Sequence, residues 1–312
     1  MIHVVAGNLA MDRTHVLNAI VLGEVNRPVS SCVTAGGKGF NVARFLRTLG
    51  HQVRLYGFLG GLTGQYLDSE CARLGIVNHC VQVKEDTRIC NIYIEEQLHH
   101  VTVINEKGPV IGRAEQHRLQ ETVVDEIQND DVLIFGGSLA EGVDPNFYLD
   151  ILQEVKRKTK TVTAMVDCHG EPLWQTLKGQ PWLVKVNERE FRGLGLGRGD
   201  LREMMSSNVL SNIELLIVTR GHKGSLLRYR NRFIDIAVPH VDAINPTGSG
   251  DAYLAGVAAA WVRTSDVVYA VQFAAACSVV NAKSITPEIA LDDVAAVFPQ
   301  IKIIEAGTVS QD

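Results

Sequence analysis

Residues 245–262 read NPTGSGDAYLAGVAAAWV. A turn carrying Gly248 and Gly250 runs directly into an apolar helical stretch. Glycines there admit unusual backbone angles and let a ligand come close to the chain. Unpaired N–H groups and the macrodipole at the helix start favour an anion. Gly248, Ser249 and Gly250 are therefore a candidate anion hole. Asp251 stands at the same helix start, and two readings fit it. It can be an N-cap, a position that Asp favours. It can also be the base of a phosphoryl transfer, taking the proton of an attacking hydroxyl while the amides hold the moving group.

A second glycine-bearing turn lies far upstream, where residues 35–50 read AGGKGFNVARFLRTLG. Val42, Phe45, Leu46 and Leu49 follow the i, i+3, i+4, i+7 spacing of an amphipathic helix, and Gly50 sits where such a helix ends. The residues around Lys38 do not fit the P-loop pattern GxxxxGK[ST]. A GxGxxG begun at Gly37 fails because residue 42 is Val, so a dinucleotide-binding dehydrogenase loses its main support. Gly37, Lys38 and Asn41 are candidates for holding hydroxyls or a phosphate of a small ligand. The plainer reading is a glycine-rich turn with an exposed lysine.

Between and around these turns, short apolar runs alternate with helical stretches. Ile2–Ala6, Val53–Phe58, Val132–Phe135, Thr161–Val166, Leu183–Val186 and Leu215–Thr219 read as strands buried on both faces. Strands alternating with helices imply βαβ units and a mostly parallel sheet, hence an α/β fold. Residues 13–35 hold no convincing helix, and residues 88–104 read as two strands around a polar turn. Both segments are expected to be antiparallel additions to the parallel core. No repeat or Pro/Gly/Ser linker divides the chain, so residues 1–312 are expected to form one large domain with a small β appendage.

Composition fits that expectation. The 312 residues carry 30 Lys+Arg and 35 Asp+Glu, a formal net charge of −5, and 46% are hydrophobic. This mild acidity argues against a nucleic-acid or anionic-membrane binder, leaving room for a local basic pocket. The start of the chain lacks a signal-peptide pattern, and Val267–Ala282 is too short to span a bilayer comfortably. It reads as a buried helix. The six cysteines form no CxxC pair and are expected to be free thiols in a reducing cytoplasm.

AGGKGFNVAR and NPTGSGDAYLAG, in this order and at this separation, resemble the two signatures of the PfkB carbohydrate kinase family. The resemblance covers about residues 1–285. It implies a ribokinase-like three-layer sandwich, with the β appendage as a lid that often makes a homodimer interface. It implies transfer of phosphate from Mg-ATP to a sugar or sugar phosphate, with Asp251 as the base. Other stretches resemble the phosphosugar branch, the tagatose-6-phosphate kinases and 1-phosphofructokinases. These are Val25-Asn26-Arg27, Thr87-Arg88, Asn105-Glu106-Lys107-Gly108-Pro109 and Gly137-Ser138-Leu139. The resemblance implies Asp12 for sugar hydroxyls, and Arg27, Lys38, Arg88 and Ser138 around the acceptor phosphate. Such a phosphate carries roughly −1.5 to −2 charges and is matched well by arginine. A solvated lid charge is the competing reading of Arg27 and Arg88.

On the nucleotide side, Asn187–Glu190 resembles the family's N-x-x-E motif, which implies that Glu190 influences magnesium, usually through water. Thr219, Gly221 and Gly224 resemble its turn near the ATP phosphates, preceded by Lys185 as in relatives. Asn281 resembles the residue near adenine, or else is a polar residue of a core helix. The chain departs from the phosphosugar branch at Leu9, where Pro is usual, and after Asn281. Those departures leave the acceptor and any monovalent-cation dependence open. The resulting expectation is a phosphosugar kinase acting on tagatose 6-phosphate or fructose 1-phosphate. A kinase of an unphosphorylated sugar or nucleoside, and a catalytically silent sensor, are the alternatives. His99-His100, Asp167-Cys168-His169 and Asp130-Asp131 are expected to be a loop, a sheet-end structural element and a solvated turn.

Overall fold

The computed structural model describes residues 1–98, 100–197 and 199–308. The strands are β1 (Ile2–Val5), β2 (Ala10–Leu17), β3 (Ser30–Gly36), β4 (Val53–Tyr56), β5 (Phe58–Gly60), β6 (Val77–Asn78), β7 (Val81–Val83) and β8 (Arg88–Glu95). They continue as β9 (His100–Asn105), β10 (Asp131–Gly136), β11 (Val162–Asp167), β12 (Leu183–Asn187), β13 (Leu215–Thr219), β14 (Ser225–Tyr229), β15 (Arg232–Ala237) and β16 (Lys302–Thr308). Ten of them form one sheet in the order β16-β15-β14-β13-β12-β11-β10-β1-β4-β6. Every pairing from β13 to β6 is parallel, and β14 to β16 add an antiparallel edge.

Successive side chains of a strand point to opposite faces, so the apolar runs feed two cores. On β1, Ile2 and Val4 enter one core and Val5 the other. The first core takes the helices Lys38–Thr48, Gly61–Leu74, Ser249–Thr264, Val267–Ala282 and Leu291–Val297. The second takes those between Arg113 and Met205. The fold is thus α/β, a mostly parallel sheet between two helical layers.

Val267–Ala282 is a helix over those residues, started by Asp266, whose carboxylate accepts from the Val268 and Tyr269 amides at 2.9 and 3.1 Å. Lys38–Thr48 stops as expected at Gly50, with φ of 84°. The run Val53–Phe58 is two strands, not one. It breaks at Gly57, where a side chain would press on the Ala6 carbonyl and Leu9. Asp131 is not solvated: its carboxylate is buried against the N-terminal ammonium at 2.7 Å and His3 Nε2 at 3.0 Å. Asp130 keeps the turn, with φ of 66°.

The two irregular segments form a separate four-stranded sheet, β3-β2-β8-β9. Its central pair, β2 with β8, is parallel, and the outer pairings are antiparallel. His100 opens β9, and His99 lies outside the described residues. All six cysteines are free. Among the described residues, no helix is long and apolar enough to cross a membrane.

Candidate active site

The chain runs from β1 outward to β4 and β6, then returns to β10 on the other side of β1. In open α/β sheets such a reversal leaves a crevice at the carboxyl ends of the strands, and ligands bind there. A cavity of about 1200 Å³ opens at this place. Strand ends and following turns supply Gly137 and Ser138 after β10, His169 after β11, Asn187 and Glu190 at β12, and Thr219 and Gly221 at β13. One face of the small sheet covers it, with Asp12, Cys90 and Asn105 in register across three strands. The buried hydroxyl of Tyr148 accepts from the Gly7 amide at 2.9 Å and lies 3.3 Å from the Gly136 carbonyl, pinning together the turns after β1 and β10.

The helix Ser249–Thr264 points its start into this cavity. Its N-cap is Gly248, with φ of 83° and no side-chain cap. Asp251 therefore does not cap the helix. It is buried within the first turn and accepts from Asn41 Nδ2 at 2.9 Å. Burial, reinforced by the negative charge of Asp167, pushes the Asp251 carboxyl up to about 7, against the pull of Lys38, Lys185 and the Asn41 bond. Gly250 leaves room for a neighbour: a methyl group there would lie 2.6 Å from Lys185 Nζ.

Beside the Gly248–Gly250 turn stands an ionic cluster. Lys38 Nζ is 2.8 Å from Asp167 Oδ1 and 3.2 Å from Glu190 Oε1. Lys185 Nζ is 2.5 Å from Asp167 Oδ2. Burial alone would push Lys38 down, but Asp167, Glu190 and Asp251 hold it above the ordinary lysine value. Burial raises the Asp167 carboxyl, and the two lysines more than reverse this. Asp167 is thus the ionic hub of this end of the sheet, paired with both Lys38 and Lys185. Sequence reading missed it because Lys38 lies 129 residues away. Cys168 faces the core, and burial raises its thiol far from a nucleophile's range.

The Asn187–Glu190 motif is a capping box. Asn187 Oδ1 accepts from the Glu190 amide at 2.8 Å, and Glu190 Oε2 accepts from the Asn187 amide at 3.0 Å. Glu190 Oε1 faces Lys38, so both carboxylate oxygens have protein partners. Among the described residues, no group of three or more His, Cys, Asp or Glu could hold a metal ion.

At the small-sheet end, Asp12 is buried beside Gly36, where a methyl group would overlap its carboxylate. Burial pushes Asp12 up to about 6, opposed by Arg44, Arg88 and the Gly37 backbone N–H. Gly37 has φ of 80° and joins β3 to the following helix. Arg88 lines the cavity and donates to the Asn8 carbonyl at 3.1 Å and the Glu106 carbonyl at 3.3 Å.

Most residues singled out from the sequence line this one cavity, Gly37, Lys38, Asn41, Arg88, Ser138, Lys185, Thr219, Gly221 and Gly224 among them. Two do not. Arg27 is exposed on the connection between β2 and β3, away from the cavity wall. Asn281 is fully buried and holds the Thr247–Ser249 turn from behind, Nδ2 donating to the Thr247 carbonyl and to Ser249 Oγ, each at 3.0 Å. Sequence reading also missed the apolar wall of Val238, Val241, Ala275 and Val279, which comes from a loop and a core helix with no motif of their own.

The model of the pfkB family carbohydrate kinases matches residues 3–292. A tagatose-6-phosphate kinase of Staphylococcus epidermidis is 30% identical over 306 residues, covering 96% of this chain and 97% of that protein. Phosphofructokinase-2 of Escherichia coli, in complex with substrates and products, superposes with a TM-score of 0.88 at 22% identity, covering 96% of this chain and 98% of that one. A Thermotoga maritima structure described as "Possible 1-phosphofructokinase" gives 0.86 at 20% identity, over 98% and 100% of the two chains. The solved structures share the fold.

Proposed function

This chain belongs to the pfkB carbohydrate kinase family, and on that premise we propose that it transfers the γ-phosphoryl group of ATP to a ketohexose monophosphate. Tagatose 6-phosphate and fructose 1-phosphate are the favoured acceptors. The observation that carries the reading is one cavity holding Arg88 and Asp12 at one end and Asp251 with the Gly248–Gly250 turn beside it. The 30% identical relative being named a tagatose-6-phosphate kinase supports it.

In this reading Asp12 orients the sugar, and Arg88 with Ser138 meets its phosphate. Asp251, raised to about 7, takes the proton of the attacking hydroxyl. The N–H groups at the start of the Ser249–Thr264 helix face the charge that develops on the moving group. The apolar wall around Val279 suits adenine, with Asn187, Thr219 and Gly221 toward the phosphates. Magnesium would be held mostly by phosphates and water, since both oxygens of the cavity carboxylate Glu190 already have protein partners. When bound, the ion neutralises phosphate charge, and Glu190 would act on it through water. Closure of the small sheet would exclude water and limit wasteful hydrolysis.

We also infer a homodimer through the small sheet, a reading supported by the exposed Val21, Leu22, Val25 and Val29 on its β2–β3 connection. Sedimentation of the purified protein tests it, and a monomer at micromolar concentration would reject it.

A second reading, an unphosphorylated acceptor, is favoured by one observation. Lys38 is held by two carboxylates and Arg27 is away from the cavity, so fewer cations face the acceptor than the motifs imply. ADP release with Mg-ATP decides between the two, using fructose 1-phosphate, fructose 6-phosphate, tagatose 6-phosphate, ribose and adenosine. Turnover confined to sugar phosphates supports the first reading, and turnover only with ribose or adenosine rejects it. No turnover with any acceptor would favour a silent sensor.

A further inference from the structure

Arg44 follows Asn41 by three residues on the Lys38–Thr48 helix, and its guanidinium is buried. Several oxygens converge on it. Nη1 donates to Asn41 Oδ1 at 3.1 Å and reaches the Pro287 carbonyl at 3.5 Å, while Nη2 donates to the Ala35 carbonyl. The Phe40 ring lies beneath, 5.3 Å from centroid to guanidinium carbon. Ala35 belongs to β3 of the small sheet, and Pro287 packs behind Gly248 of the anion loop.

These contacts decide which end of the Asn41 amide faces the catalytic side. An amide has one accepting oxygen and one donating NH₂ group. With Oδ1 engaged by Arg44, Nδ2 is presented to Asp251 Oδ2 at 2.9 Å. Turned over, the amide would set oxygen against carboxylate and NH₂ against guanidinium, unfavourable at both ends. Among the described residues, the only hydrogen bond to the Asp251 carboxylate comes from Asn41.

We propose that Arg44 is a positioning residue for phosphoryl transfer: it fixes the Asn41 amide, which in turn holds the Asp251 carboxylate. Through Ala35 and Pro287 it also ties that carboxylate to the root of the small sheet and to the loop behind the anion hole. The proposal rests on the reading of Asp251 as the base.

The charged neighbours of both groups enter the test. Asp251 faces Asp167 from β11, Lys185 from β12 and Lys38 from the helix that carries Asn41. Arg44 faces Asp12 from β2, and Tyr66, Glu70 and Arg73 from the Gly61–Leu74 helix. Arg44→Lys retains the charge toward all of these but cannot donate to Asn41 and Ala35 in the same planar fork.

The experiment compares wild type, R44K, N41A and the R44K/N41A double variant, with thermal melting to establish folding. For R44K, kcat should fall on the order of 10- to 100-fold, as for a misplaced catalytic group. The Michaelis constant for ATP should stay within about twofold of wild type, since Arg44 does not line the cavity. The acid limb of kcat/KM should move to higher pH, because a weakened bond to the carboxylate favours its protonated form. N41A should show the same limb shift, and adding R44K to N41A should have little further effect. Losses that multiply in the double variant, or an acid limb that stays in place in R44K, would overturn the proposal. Should R44K not fold, an unmoved acid limb in N41A alone would overturn it as well. D251N separates the two levels: full turnover by D251N would remove the base reading itself, whereas an inactive D251N with an unmoved R44K limb would remove only the role of Arg44.

Discussion

Asp167 and Lys185 meet across adjacent strands of the main sheet, Oδ2 to Nζ at 2.5 Å, with both side chains out of water. The other oxygen of the same carboxylate holds Lys38. One buried anion thus sits between two cations, a short distance from a second carboxylate that the first pushes toward its neutral form.

Asp167→Asn should accordingly do two things. It leaves two lysine charges without their partner, and removing one member of a buried pair costs about 3–5 kcal/mol. Denaturant unfolding at neutral pH reads that loss. The Asp167 carboxyl is held below its ordinary value, so its contribution is present above the unfolded pKa of about 3.9 and is lost as pH falls below it. Wild type should therefore approach the variant in stability under acid. A neutral-pH midpoint equal to wild type would contradict the hub.

Asp251→Asn should lower kcat by roughly 10²–10⁴-fold, the usual span for a lost general base, with nucleotide binding retained. In wild type, kcat/KM should decline as pH drops through about 7, because burial and Asp167 hold the free carboxyl there. In Asp167→Asn the same limb should shift to lower pH, since the repelling charge is gone and the lysines remain. Steady-state rates between pH 5 and 9 check both, and a flat acid side in wild type would speak against Asp251 as base.

Gly36→Ala should act on the acceptor alone. The added methyl overlaps the Asp12 carboxylate and must displace it. Overpacking of this kind costs about 1–3 kcal/mol of folding stability, and a carboxylate pushed out of place should raise acceptor KM on the order of tenfold or more. ATP affinity, measured calorimetrically without acceptor, should stay unchanged, and a comparable loss there would show a broader collapse of the turn.

Arg88→Ala tests the acceptor's charge. A hydrogen bond to a charged group is worth about 1.5–3 kcal/mol, which corresponds to roughly a 10- to 100-fold rise in acceptor KM for a sugar phosphate. An unchanged KM would leave Arg88 as a tie between β8 and the Asn8 and Glu106 carbonyls.

What could be read beforehand followed locality. The helix Val267–Ala282, the stop at Gly50 and the turn at Gly248 are written in neighbouring residues, and they stand where expected. The edge strands β14 and β15 were not read. Arg228, Arg232 and Asp235 interrupt their apolar pattern, and the buried Arg228 donates to the Leu210, Ile213 and Arg230 carbonyls. Asp131 misled for the same reason, its partners Met1 and His3 being some 130 residues distant. At the site, the glycine turns announced themselves through backbone requirements. The partners of Asp167, and the backward-facing role of Asn281, came only from elements that meet in three dimensions.

Ala10 pairs with Gly36 on one side and Arg88 on the other, at the root of the small sheet. Asp12 and Arg88 therefore ride on the small sheet, while Asp251 and the Gly248–Gly250 turn belong to a helix packed on the large one. This is a division of heritable labour. On the proposed reading, mutations in a few residues of β2 and β8 would alter which acceptor is taken without touching the groups assigned to moving the phosphoryl. A lineage built this way can explore new substrates while its chemistry stays fixed.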